Sequence, residues 1–485
     1  MKNKILNLGV DVIVYGSGSA ITSFLGLFLL PIFTTFLNPK EYGVIAILAL
    51  ITLVAQSVFS LGLSLAMAPK YFDCEDSLNK NRVVWTIFII NIVSVTILLF
   101  LSWLFMNQIA NMVGLSEEFI PLITLSLIGC ALVILANPFA LAVQYEKQSV
   151  LYVKVTFTTA IIAIIVSCVS VVFFHWGVKG MVVGQLAGNA TNFIIFFCII
   201  LKKNKPTISL PMGVDLLKKS LPLIPGFIFL FFLMHSSKFI LGLHDGLNDL
   251  GIYSIGFNLG MTISIVTGGI LTAWHPFFMA YIKRPQEAEI LFGRIFTYYI
   301  FGCGFISLIY FMAAKFIVMI LTNEAFYDAY VVVGLVATGN YFMGTYRFFL
   351  TGMYFKNELY MQSIIQCVAF LLLIPIMFFF VMYLGVFGAA LSVSIGHLLL
   401  AALAYYWNSY RRNTYISIKY EWRRIYHFSL IYIFTALLFL TISFDTILGN
   451  LFFFLLGLVI VVVALIQLLK PSEIATLPFL NILKI

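Results

Sequence analysis

The sequence predicts an all-α polytopic membrane protein of about fourteen transmembrane helices, built as two six-helix lobes plus two C-terminal helices. Three observations carry this. The 485 residues are 62% hydrophobic and only 10% charged, with mean hydropathy +1.07, whereas soluble domains carry about 25% charged residues. Apolar runs of about 20 residues recur along the chain, the length of membrane helices and too long for barrel strands of about 10. Finally, short signals at both ends of a six-span unit return at one fixed offset.

In order, the expected spans are 10–37, 43–68, 84–106, 120–143, 150–174, 180–201, 221–243, 251–274, 294–320, 330–353, 361–383, 386–408, 426–443 and 450–469. The first follows the basic start MKNKILNLGVDVIVYGSGS, which is superficially like a secretory signal. Its apolar stretch continues to Leu37, past a signal core of about 7–15 residues, so it reads as a retained span. Spans eleven and twelve are parted only by Leu384 and Gly385. Pro31 in span one, and Pro222 and Pro225 in span seven, permit bends in the leading helix of each lobe, as static kinks or as moving parts.

Charge sets the topology. With the N-terminus inside, 22 of the 28 basic residues fall on inner segments, and the outer loops hold only Lys40 and Lys179. Both ends are therefore expected in the cytoplasm. The net charge of +9 belongs to this orientation signal and does not point to nucleic acid. Five cysteines fall within spans and Cys74 in an inner loop, so neither disulfides nor a CxxC metal pair is expected.

The repeat has an offset of 208 residues. Glu41-Tyr42-Gly43-Val44 returns as Asp249-Leu250-Gly251-Ile252, and Gly177-Val178-Lys179-Gly180 as Gly385-Val386-Phe387-Gly388. Six spans is an even number, so the copies share one orientation and are related by an axis along the membrane normal. Two parallel bundles facing across a cleft is a transporter plan. The expected division is 1–201 for the first lobe, 202–220 for a cytoplasmic linker, 221–408 for the second lobe, and 409–485 for two added helices and a tail.

The chain lacks GxxxxGK[ST], HExxH and GxSxG motifs and any paired-carboxylate cluster. His175, His235, His244, His275, His397 and His427 are scattered over different spans and loops, which is poor spacing for a metal. No enzyme activity, cofactor or metal is expected. A glycosyltransferase would need carboxylates near the membrane surface and substantial loops.

The run LLPIFTTFLNPKEYGVIAI (Leu29–Ile47), SLPLIPGF (Ser220–Phe227) and the turn at Gly385–Ala389 resemble Wzx-type polysaccharide flippases. These belong to the multidrug/oligosaccharidyl-lipid/polysaccharide exporter superfamily, with the MATE exporters and lipid II flippases. The resemblance covers essentially the whole chain. It implies an inner-membrane flippase that inverts an undecaprenyl-diphosphate-linked oligosaccharide, an O-antigen or capsule repeat unit, from the cytoplasmic to the periplasmic leaflet. Membrane lipids, and a glycan polymerase with its chain-length machinery, are the partners it suggests. A MATE-like exporter of small cations and a non-catalytic membrane component of a glycan-assembly complex are the rivals. The exporter would want carboxylates in its interior, and the spans hold four bases against one acid.

Those four are Lys154, Lys238, Lys315 and Arg347, and a diphosphate needs such donors to replace its hydration. Lys238 shares a helix face with His235 beside Ser236 and Ser237; it either faces the cleft or snorkels to the outer surface. Arg347 continues a stripe from Asn340 and Gly344, as a diphosphate ligand or as an anchor. Lys154 and Lys315 lie near span ends, where anchoring competes with cavity lining. Asp11 is the acid, a candidate for ion coupling or pairing, or an interfacial neighbour of Lys2 and Lys4. Gln185, Asn189 and Asn192 form a neutral stripe on span six, and Gln56 and Ser60 begin another on span two. Such stripes line a sugar path or tie helices together.

Overall fold

A computed structural model describes residues 26–468 apart from 147, 204–205, 280, 282–284, 356–357, 359, 411–417, 443 and 445. Asp11 and the first part of span one lie outside the described residues. Everything regular among the described residues is helical. Ten helices among them are long and apolar enough to cross a membrane, and one bent pair adds an eleventh. Contacts divide the chain into two compact units, 1–254 and 255–485.

Unit 1 holds α1 (Leu30–Phe36), α2 (Pro39–Phe59), α3 (Leu63–Asp73), α4 (Ser77–Leu104), α5 (Met106–Met112), α6 (Ile120–Tyr145), α7 (Ser149–Cys168), α8 (Val178–Lys203), α9 (Leu210–Ser220), α10 (Ile224–His244) and the start of α11 (Leu247–Met261). The start of α2 is set by its sequence. The Asn38 side chain accepts from the Glu41 amide at 3.0 Å, and the Glu41 carboxylate accepts from the Asn38 amide at 2.9 Å. This capping box, with Pro39 in the first turn, begins the helix four residues earlier than apolarity alone suggests. The expected span 43–68 is broken. Leu61 and Gly62 are left-handed, with φ 52° and 64°, and α3 starts anew at Leu63. A Cβ on Gly62 would lie 3.0 Å from the Ser220 carbonyl, so the break is where this segment packs on the end of α9. An aromatic cluster of Trp85, Phe88, Phe139 and Phe197 fills the core among α4, α6 and α8, with Phe88 and Phe139 centroids 4.8 Å apart.

Unit 2 holds the rest of α11, then α12 (Ser264–Met279), α13 (Pro285–Leu321), α14 (Tyr330–Phe349), α15 (Thr351–Phe355), α16 (Tyr360–Tyr410), α17 (Trp422–Thr441) and α18 (Ile447–Leu468). The helices α11 and α12 form the bent pair, at 42°. Spans eleven and twelve are one run, the 51 residues of α16. Straight, it would measure about 75 Å against a hydrocarbon core of about 30 Å. It is folded at Gly385, whose φ of 50° and ψ of −127° only glycine adopts readily. A Cβ on Gly388 would overlap the Phe380 carbonyl eight residues back, a neighbour that a straight helix would hold about 12 Å away.

The backbone repeats where the sequence does. Gly177, 208 residues before Gly385, has φ 53°, and the two glycines open matching turns. The other repeat motif makes a reciprocal contact within unit 1. A Cβ on Gly43 would overlap the Leu247 carbonyl, and a Cβ on Gly251 would overlap the Pro39 carbonyl. Pro39 and Leu247 are themselves 208 apart. Such a contact, in which each element offers the same surface to the other, is what a two-fold relation produces.

Gly43→Ala and Gly251→Ala should each lower stability by about 1–3 kcal/mol, because backbone must move to admit the methyl. Gly268→Ala and Gly302→Ala, which have open space around the Cβ, should be neutral or stabilising. Thermal midpoints of the four proteins in one detergent test this; equal midpoints would contradict the crossing.

Candidate functional site

Helices α2, α6 and α8 enclose a pocket of about 360 Å³, within the range of about 300–1,000 Å³ typical of small-molecule sites. On α2 the lining residues Leu48, Ala49, Thr52, Leu53 and Gln56 form one stripe at helical spacing. Ser126 and Gly129 come from α6, and Gln185 and Asn189 from α8. Gly129 matters because a Cβ there would lie 3.3 Å from the Asn189 amide nitrogen. Its absence lets Asn189 Nδ2 donate to the Gly129 carbonyl at 3.2 Å, while Gln185 Nε2 donates to Asn189 Oδ1 at 3.4 Å. Thr52 donates back to the Ala49 carbonyl at 2.8 Å, and the Gln56 amide and the Ser126 hydroxyl also line the pocket.

Gln56 also lines a second, smaller pocket of about 70 Å³ with Ser60, Ser64, Asn91 and Asn137. Ser64 donates to Asn137 at 2.9 Å, and Asn91 donates to the Ile134 carbonyl at 2.9 Å. The two pockets share Gln56, so polar groups follow one another as a track along unit 1 among apolar neighbours such as Leu48, Leu125 and Val133. Among the described residues, no Asp, Glu, Lys, Arg or His lines either pocket. Amides and hydroxyls offer both donors and acceptors, so the track suits a neutral, hydroxyl-rich ligand.

Of the residues singled out in the sequence, Gln185, Asn189, Gln56 and Ser60 line these pockets. Lys238 does not. It is 8% exposed and lies on α10, on the same side as Gly242, which packs against Ile47 of α2 and Leu250 of α11. Ile47 is two residues from Ala49, so the lysine and the pocket take nearly opposite faces of α2. The lysine is buried rather than extended to a surface. Beside it, Ser237 shares a 3.1 Å hydrogen bond with the Tyr253 hydroxyl, and His235 lies with its ring 5.1 Å from that of Phe231. The opposite face of α10, with Phe232, Ser236, Phe239 and Leu243, borders an apolar cavity of about 610 Å³ against α2, α4 and α5.

The other bases are dispersed. Lys154 is exposed on α7, and Thr158, one turn on, donates to its carbonyl at 2.8 Å. In unit 2, Lys315 is half-buried with its ammonium 5.6 Å from the Tyr330 ring centre. Arg347 is exposed on α14, while Asn340 of the same stripe is buried and donates to the Val336 carbonyl at 3.1 Å. Gly344 between them accommodates the Tyr299 hydroxyl, so the stripe packs against α13 over part of its length.

The segment 202–220 contains a helix where a linker is expected. On α9, Asp215 accepts from Lys70 at 3.1 Å and from Lys219 at 3.2 Å. Hydrogen bonds from these two ammonium groups hold its carboxyl below the usual carboxylate range. Ser209 donates to Thr86 at 3.1 Å, which ties the start of α9 to α4.

Asn91, Asn137, Thr52 and Ser126 escaped the sequence reading. One turn after Asn91, Asn137 and Ser126 stand Val95, Leu141 and Cys130, so no polar stripe marks them, while Thr52 stands one turn before Gln56, where the stripe on span two begins. An asparagine at mid-span is the signal that could have found the first two, since its amide must be satisfied inside the bundle.

The family described as "Polysaccharide biosynthesis protein" matches residues 32–280. Among solved structures, the chain is similar to the lipid II flippase MurJ in an inward closed conformation, at 14% identity and TM-score 0.72, covering 93% of this chain and 98% of that one. It is similar to an inward-facing multidrug resistance MATE family transporter at 12% identity and TM-score 0.68, covering 84% and 98%. A mutant of the Vibrio cholerae MATE transporter VcmN aligns at 12% identity and TM-score 0.52, covering 83% and 94%. At these identities the likeness is one of fold. No curated protein sequence gives a significant match.

The two amides of the larger pocket should separate on substitution. Asn189→Ala removes the hydrogen bond between α8 and the Gly129 carbonyl and should cost about 1 kcal/mol of stability, whereas exposed Gln185→Ala should stay within about 0.5 kcal/mol of the parent. Thermal denaturation of the purified variants checks this; equal losses would mean that Gln185 also holds helices together.

Proposed function

We propose, from the premise that this chain belongs to the polysaccharide biosynthesis protein family, that it is a flippase for an undecaprenyl-diphosphate-linked oligosaccharide. The cargo would pass from the cytoplasmic to the periplasmic leaflet by alternating access between the lobes 1–201 and 221–408, in the inner membrane with both termini cytoplasmic. The observation that carries this reading is the uncharged track of amides and hydroxyls through unit 1. A glycan loses hydrogen bonds to water on entering a membrane protein, and each must be replaced by a neutral donor or acceptor. Gln185, Asn189 and Gln56 are placed to do so.

Lys238 with His235, Arg347 and Lys154 would supply positive charge for the diphosphate, with Asn340 and Lys315 along its path. Because Lys238 is buried here, the diphosphate would meet it only in a conformation that parts its face of α10 from α2. The absence of carboxylates among the described residues lining both pockets is the feature that a cation exporter would not share.

Deleting the gene should leave undecaprenyl-linked glycan accumulated on the inner leaflet. Drug sensitivity without accumulation would favour the exporter instead. Lys238→Ala and Arg347→Ala should each reduce surface glycan severely at normal membrane protein levels, and Gln185→Ala should reduce it partially. Parental export by both cation variants would remove the cations from the site. Immunoblotting of surface glycan beside the tagged protein measures both.

A further inference from the structure

One chargeable side chain buried in unit 2 is left unused by the reading above. His397 is 1% exposed and lies twelve residues beyond the fold in α16 at Gly385. At about 1.5 Å per residue, the ring is about 18 Å from that turn, near the middle of a half-helix that ends at Tyr410. This half runs parallel to α14. Ser394 donates to the Leu335 carbonyl and Asn408 to the Phe349 carbonyl, each pair 59 residues apart. In the same register the imidazole rests on Gly339, where a Cβ would lie 3.0 Å from Nδ1. Glycine at this position is what gives the ring its room.

Neither ring nitrogen of His397 has a hydrogen-bond partner among the described residues. A neutral imidazole always presents one donor and one acceptor, and buried polar atoms rarely stay unpaired. No opposite charge is at hand for a protonated ring. From Tyr360 to Tyr410, α16 has no Asp, Glu, Lys or Arg; its other titratable groups are Cys367 and tyrosines. The helices α14 and α15 pack against it. They contribute Arg347, exposed and eight residues from Gly339, and the phenols of Tyr330, Tyr341, Tyr346 and Tyr354. An acid that could hold a charged imidazole in this conformation is absent from all three helices. The buried ring is therefore neutral, and a charged one requires water to reach it.

We propose that His397 is a proton-binding site of the transport cycle. It is neutral in the closed packing of α14 against α16, and it takes up one proton when an alternate conformation wets the ring. The ring takes its proton from hydronium on one side, an O–H bond breaking as the N–H bond forms, and returns it to water on the other with the reverse exchange, so one proton crosses per cycle. A ligand bound by only one of two conformations shifts the balance toward that conformation; here the ligand is the proton. The inference rests on the transport reading, but the site can be tested without the cargo.

The experiment is a pH jump on purified protein in proteoliposomes adsorbed to a solid-supported membrane. The parent should give a transient displacement of charge, which His397→Asn abolishes and Gly302→Ala, with open space around its Cβ, preserves. A full transient in His397→Asn overturns the proposal, as does its absence from the parent. Gly339→Ala keeps the imidazole but presses on Nδ1, so it should shift the pH midpoint of the transient. If the asparagine variant fails to fold, an unchanged midpoint in Gly339→Ala overturns the proposal. A transient that depends on His397, in a protein whose deletion leaves no accumulated glycan, keeps the proton site and discards the cargo.

Discussion

The reciprocal crossing of α2 and α11 is the contact on which the arrangement of unit 1 depends. Two helices can bring backbone against backbone only where neither carries a side chain. Gly43 and Gly251 meet that condition at equivalent places in two copies of one motif. The capping box of Asn38 and Glu41 fixes where α2 begins, and hence that Gly43 falls at the crossing. Glu41 also reaches the other repeated motif, since a Cβ on Gly177 would lie 2.7 Å from its carboxylate. The turn that opens α8 and the start of α2 are thereby held together. Both helices then present their polar residues to the same pocket.

The crossing also explains how unit 1 keeps charge and pocket apart. A helix has two broad faces, and α2 uses one to meet α10 and α11 and the other to line the track. Lys238 belongs with the first face and Gln56 with the second. Separation has a physical benefit under the proposed cycle. A fixed ammonium inside the sugar pocket would bind the diphosphate strongly in every conformation, and a ligand held equally by all conformations shifts none of them. A base that is buried in one conformation and open in another binds the anion differentially.

Much of this was legible in the sequence. Hydropathy and the basic bias gave the class of fold, and the 208-residue offset marked four glycines whose backbone roles match in pairs. Gln185 and Asn189 could be named because they stand one turn apart on a single helix. The break at Leu61 and Gly62 was hidden, because apolar residues continue across it and the cause is packing against Ser220, far away in sequence. The surroundings of Lys238 were hidden for the same reason. Periodicity assigns a residue to a face of its own helix, while the neighbour on that face is decided by tertiary packing. The fold at Gly385 lay between: the dipeptide was visible, but only φ and ψ show that a helix turns back there with no loop.

The two units solve the burial of a base in different ways. Lys238 lies in a setting with neighbouring polar groups, where Ser237 and Tyr253 are linked. His397 is set in a sheath without hydrogen-bond partners among the described residues, against a glycine. A lysine ammonium is a compact point charge with three donors, so it serves best to attract an anion in the conformation that brings the two together. Imidazole changes charge within that range and can be left neutral at modest cost. An anion-binding base and a switchable base are different devices, and their surroundings differ accordingly. A transporter that must both hold a charged lipid and return to its starting conformation needs a group of each kind.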